Sequence, residues 1–215
     1  IPDTNMKADD ATYVPDITPD FSVHQIYLEE APIGVDAKYA WGIIGGNGSG
    51  ITLADIESGW NFSHEDLVHN KLGVIYGSNA DNPNDRIHGT DVIGVLGGDN
   101  NEIGIKGICH GASIAAIAVT DNDYINTSKA IKWAADYLKP GDILILELHR
   151  AGPRYPKNPK NPRTQYGYIP IEWWPCDYAA IQYATAKNII VVEAAGNGGQ
   201  SLDDDIYSQP PENSC

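Results

Sequence analysis

Basic residues are scarce in this chain. Its 215 residues hold 14 Lys and Arg against 29 Asp and Glu, a formal net charge of −15. Such a surface repels phosphates, which argues against nucleic acid as a partner. Long apolar runs are missing too. None approaches the roughly 20 residues of a membrane-spanning helix, so no membrane partner is expected. Ile1 opens no signal peptide, which reads as a mature or processed form. Cysteine is rare: Cys109, Cys176 and Cys215 are the only three, with no Cys-x-x-Cys pair. That argues against a zinc site of the paired-cysteine kind. An odd count leaves at least one thiol free or bonded to another chain, and Cys215, at the end, suits a disulfide to a second fragment. No Gly-x-Ser-x-Gly elbow occurs either.

What is present is globular. Hydrophobic residues make up 42% and charged residues 20%, too apolar for a disordered chain. The length suits one α/β domain with a sizeable core. The negative charge fits a secreted or calcium-rich protein, or one working at low pH; solubility alone explains it equally well. Residues 1–23 are rich in Asp and Pro and read as an extended surface arm. A short helix is expected around Val35 to Trp41, then a glycine loop through Gly50. That loop precedes a strand, whereas a dinucleotide fingerprint follows one, so a Rossmann cofactor site is not expected. Buried strands are expected at Ile51–Ile56, Leu72–Tyr76, Ala112–Thr120, Asp142–Leu148 and Asn188–Glu193. Helical spacing marks Ile87–Gly98, Ser128–Leu138 and Tyr178–Lys187. Alternation of continuous apolar strands with helices predicts a three-layer α/β fold, a mostly parallel sheet with helices on both faces. Residues 150–176, dense in Pro, Tyr and Trp, read as a long surface excursion bordering the cleft.

The stretch Ile51-Thr52-Leu53-Ala54-Asp55-Ile56-Glu57 is the most telling. Asp55 and Glu57 are two apart, so on a strand they share a side. Carboxylates at the end of a buried strand are costly unless paired or functional. A strand end dipping into solvent would explain them more simply. Two further segments line up with this one: His88-Gly89-Thr90, opening a helix, and Ala194-Ala195-Gly196-Asn197-Gly198-Gly199, ending a strand. Function in parallel sheets gathers at the carboxyl ends of strands.

Together these segments resemble the subtilases, the subtilisin-like serine peptidases. The likeness runs from about Gly34 to Gly199, which makes residues 24–215 the N-terminal portion of such a domain, with 150–176 as an insertion. It implies peptide-bond hydrolysis by a serine triad. His88 would be the general base, with Glu57, or Asp55 if the turn is shifted by two residues, as the acid that orients it. Asn197 would stabilise the oxyanion. Glu147, Leu148 and His149 stand where the family pairs with substrate backbone. Asp91 replaces the family's second histidine. The likeness also implies a calcium loop, with Asp66, Asn101 and the backbone oxygens of Asp99, Ile103 and Ile105 as ligands. Asp55, Glu57, Glu147 and Glu193 are expected to cluster, one of them holding a proton, in a peptidase that is acid-shifted or prefers Lys and Arg. The family's nucleophile motif, Gly-Thr-Ser-Met-Ala-Xaa-Pro, does not follow Asn197. The expectation is a secreted or cell-surface, proteolytically processed heterodimer, with the Ser on a C-terminal fragment of the same precursor and a protein or peptide as substrate. The alternative is a catalytically inactive binding module.

Overall fold

The structure is a computed structural model that describes residues 18–161 and 164–211. Arg163, Cys215 and most of the arm lie outside the described residues. The end of the arm does more than lie on the surface. Pro19 O accepts from Gly104 N–H (2.9 Å) and Gly104 O from Phe21 N–H (2.7 Å), docking it on the acidic loop.

Five strands form one parallel sheet: β1 (Thr52–Glu57), β2 (Lys71–Tyr76), β3 (Ser113–Ala118), β6 (Ile143–Leu146) and β9 (Ile190–Glu193), in the order β2-β3-β1-β6-β9. Two short antiparallel pairs complete the strands: β4 (Thr120–Asp121) with β5 (Tyr124–Ile125), and β7 (His149–Ala151) with β8 (Tyr168–Pro170). Of the four helices among the described residues, α1 (Ala37–Trp41) is short. α2 (Ile87–Gly97) covers one sheet face; α3 (Thr127–Tyr137) and α4 (Pro175–Ala186) cover the other. The three layers are those expected.

The central strands are buried on both faces, as their unbroken apolar runs require. Ala54, Ile56, Ile117, Leu144 and Leu146 face α3 and α4; Leu53, Ile114, Ala116 and Ile145 face α2. Coverage on the α2 side stops at β6. Beyond it Ile190 and Val192 of β9 are 54% and 50% exposed, and Val95 of α2 is 40% exposed.

Residues 150–176 are not a free excursion. Their ends fold back as the β7–β8 hairpin, and Ile169 and Ile171 are buried. Ile169, Trp174 and Tyr207 make a small third core cluster, apart from those on the two sheet faces. Burying that apolar surface costs the loop its freedom, and pairing satisfies its backbone.

Candidate active site

β1 carries both acids to the sheet's carboxyl edge. Glu57 Oε1 is hydrogen-bonded to His88 Nδ1, with Ser58 N–H on Oε2 at 3.3 Å. Glu57 is buried, whereas the His88 ring is largely exposed. A carboxylate on Nδ1 leaves Nε2 free to act as a base toward the cleft. Burial raises the Glu57 carboxyl above the usual Glu range, against the pull of His88.

Asp55 does something else. It is fully buried, and its Oδ2 accepts from the Trp60 indole N–H at 2.7 Å. Its Oδ1 has no hydrogen-bond partner among the described residues. Desolvation holds its carboxyl well above the ordinary value, with Glu57 and Glu147 adding to the push. A neutral carboxyl tolerates that setting far better than an ion. Trp60 is buried against the first turn of α2. A Cβ on Gly89 would come within 2.5 Å of Gly59 O and 2.8 Å of Trp60 Nε1. Asp55 therefore fixes the indole, and the indole seats the helix turn that bears His88. Nothing in the apolar pattern foretold that bond, which closes across the Ser58-Gly59 turn.

A cleft of about 300 Å³ opens beside the pair, lined by Glu57, His88, Glu147, Leu148, His149, Gln165, Ala194, Gly196 and Asn197. Glu57, His88, Asn197 and the expected substrate-pairing residues thus meet in one place. Gln165, from the 150–176 segment, joins them; only the expectation that this segment borders the cleft pointed to it. The His149 ring packs on Tyr168, centroids 4.6 Å apart, and its Nδ1 accepts from the Asn197 backbone N–H at 3.3 Å. Burial and the nearby His88 hold His149 below the usual His range, in the neutral form that can accept. Among the described residues no serine or cysteine lines this cleft.

The expected four-acid cluster splits. Cα pairing sets Asp55 beside Ile145 and Leu146 beside Glu193. Glu193 therefore points with Leu146 toward α4, away from Asp55, Glu57 and Glu147. There its Oε1 accepts from Glu172 N–H at 3.1 Å, and burial raises it to about 7.

The expected calcium ligands are arranged otherwise. Asp66 accepts from Asn101 Nδ2 (3.1 Å) and Ile105 N–H (3.0 Å). Gly104, at φ +55, presses so close that a Cβ would lie 2.1 Å from Asp66 Oδ2. Asp99 binds Lys71 Nζ at 2.8 Å and the N–H groups of Val68 and His69. Among the described residues no three His, Cys, Asp or Glu side chains gather as metal ligands. A cation on Asp66 would have to displace the Asn101 and Ile105 donors from that carboxylate. The carboxylate of Asp66 instead pins the loop by its N–H groups. Of the cysteines, Cys109 is free and Cys176 is disulfide-bonded.

The model of the subtilase family matches residues 48–213. The chain belongs to the subtilase family. It is 30% identical over 175 residues to thermitase of Thermoactinomyces vulgaris, covering 79% of this chain and 55% of that protein. It is 27% identical over 183 residues to subtilisin E of Bacillus subtilis (strain 168), covering 81% of this chain and 42% of that one. A solved protease structure from Pseudoalteromonas arctica PAMC 21717 superposes with a TM-score of 0.57 at 21% identity. It covers 81% of this chain and 58% of that one, and shares the fold. This subtilase chain spans about half the length of the relatives it matches.

Proposed function

We propose that this subtilase chain carries the acid, base and oxyanion residues of a serine endopeptidase, with the nucleophilic serine supplied by a second chain or fragment of the same precursor. The observation that carries the reading is the Glu57–His88 pair facing Asn197 across one cleft. His88 Nε2 takes the serine proton as Oγ bonds to the scissile carbonyl carbon. The carbonyl electron pair moves onto oxygen, where the Asn197 amide donates to it. The imidazolium, stabilised by Glu57, then gives its proton to the leaving amine as the C–N bond breaks. Water repeats the sequence on the acyl-enzyme.

A second fragment is supported by the uncovered Ile190, Val192 and Val95, an apolar face where core would continue. The disulfide at Cys176 suits an oxidising, secreted or cell-surface setting. Among the described residues no helix is long and apolar enough to cross a membrane. Calcium is not part of the proposal, because Asp66 is engaged by N–H donors.

A fluorophosphonate probe on the intact protein, followed by denaturing mass analysis, tests the reading. The label should appear on a serine of a co-purifying segment and disappear in His88→Ala. A folded protein that takes no label would instead be the inactive binding module.

A further inference from the structure

Glu147 directly follows β6. By the β1–β6 register it stands beside Glu57, one step past the Ile56–Leu146 pair. It is exposed, and it lines both the cleft with His88 and Asn197 and the groove between α2 and β9. No described residue hydrogen-bonds or ion-pairs with its carboxylate.

The charges around it are committed elsewhere. Glu57 is held by His88, and Asp55 is buried on Trp60. His149 turns Nδ1 to Asn197. Asp91, on α2, lines the groove behind His88 and a pocket beside Arg86 rather than the cleft. Glu193 faces the opposite layer. The cations nearest in the chain are spent: Arg150 pairs with Asp177 at 2.9 Å, and Arg154 with Asp204 at 2.6 Å. Among the described residues no Lys or Arg lines the cleft. Among the described residues Glu147 is therefore the one carboxylate in the cleft free to take a counter-ion.

We infer that Glu147 sets the substrate class: it receives the ammonium or guanidinium of a Lys or Arg beside the scissile bond. The inference rests on the peptidase reading of this cleft. Asn197 would serve the scissile carbonyl oxygen, and Glu147, Leu148 and Gly196 form the adjoining wall. The side chain they meet is that of the residue contributing the carbonyl. A cation there relieves the repulsion between Glu147 and Glu57 and meets an anion in a partly desolvated cleft. The chain's net charge of −15 draws basic peptides toward the cleft at low salt. Of the two behaviours expected of an acidic site, this favours basic specificity. An acid-shifted optimum would need Glu57 ionised at low pH, and burial opposes that.

The test compares peptides identical except for Lys, acetyl-Lys or Leu on the acyl side of the cleaved bond. Acetylation keeps the stem and removes the charge. On the intact protein, kcat/KM should favour Lys over acetyl-Lys by about 30-fold or more. The ratio should shrink with salt and fall near unity in Glu147→Gln. Equal cleavage of Lys and acetyl-Lys overturns the inference, as does a ratio unchanged in Glu147→Gln. Binding of agmatine, followed by NMR, gives a readout independent of turnover. Binding by the parent protein that is lost in Glu147→Gln supports the inference, and no binding overturns it. Failure to cleave any peptide, with no fluorophosphonate label, refutes the peptidase reading separately.

Discussion

Replacing Glu193 by Gln should stabilise the protein above neutral pH and change little near pH 4.5. In the fold this carboxyl faces α4, accepts from Glu172 N–H, and is raised by burial from 4.5 to about 7. Unfolded, it ionises near its ordinary value. Between those two pH values the folded chain holds a proton that the unfolded chain has lost. Stability from this group is thus fully present below pH 4.5 and is lost as pH rises through about 7. At about 1.4 kcal/mol per pH unit the gap sets a ceiling of about 3.5 kcal/mol. The side chain is only partly buried, so about 1–2 kcal/mol is the expected loss. Gln keeps an oxygen for the Glu172 N–H and carries no charge to desolvate. Urea unfolding from pH 4 to 8.5, in a His88→Ala background to prevent self-digestion, would show the two curves together at the acid end and apart above pH 7. Parallel curves for parent and variant across the whole range would refute the argument.

Glu57→Gln should lower kcat by about four orders of magnitude, the size seen when a triad acid loses its charge in other serine peptidases. Asp55→Asn keeps an acceptor for Trp60 and should stay within about tenfold of the parent; the opposite ranking in steady-state assays would move the triad acid to Asp55. His149→Phe keeps the packing on Tyr168 but removes the acceptor from Asn197 N–H. It should lower kcat about tenfold with KM little changed, and a purely KM effect would show that this bond does not hold Asn197 in place for the reaction. Asp66→Ala should cost about 2 kcal/mol of stability by freeing the Asn101 and Ile105 donors. A chelator should leave the parent Tm unmoved, and a clear drop would restore calcium to this loop.

Much of the fold was legible because its strands are buried on both faces. Ile114 to Ala118 and Ile143 to Leu146 read as continuous apolar runs, and such runs end where a parallel sheet presents its site. His88 and Asn197 stood out by residue type and order. What escaped depended on contacts between distant segments. The face taken by Glu193 follows from the β6–β9 register, and a shift of one residue would have placed it with Glu147. The prolines of 150–176 read locally as loop, while the burial of Ile169 comes from packing against Trp174 and Tyr207. The acidic loop had the composition of a cation site. Only its geometry shows that N–H groups meet Asp66 there.

The seat of α2 on Trp60 also separates two parts that could have been bound together. Gly89, next to His88, lies flush on the Trp60 ring, a contact that does not involve Glu57. A change in the size of the side chain at position 57 would therefore leave that seat in place. Exchanging Glu57 for Asp would leave the helix seated on Trp60, whereas a side chain on Gly89 would lift it off the ring.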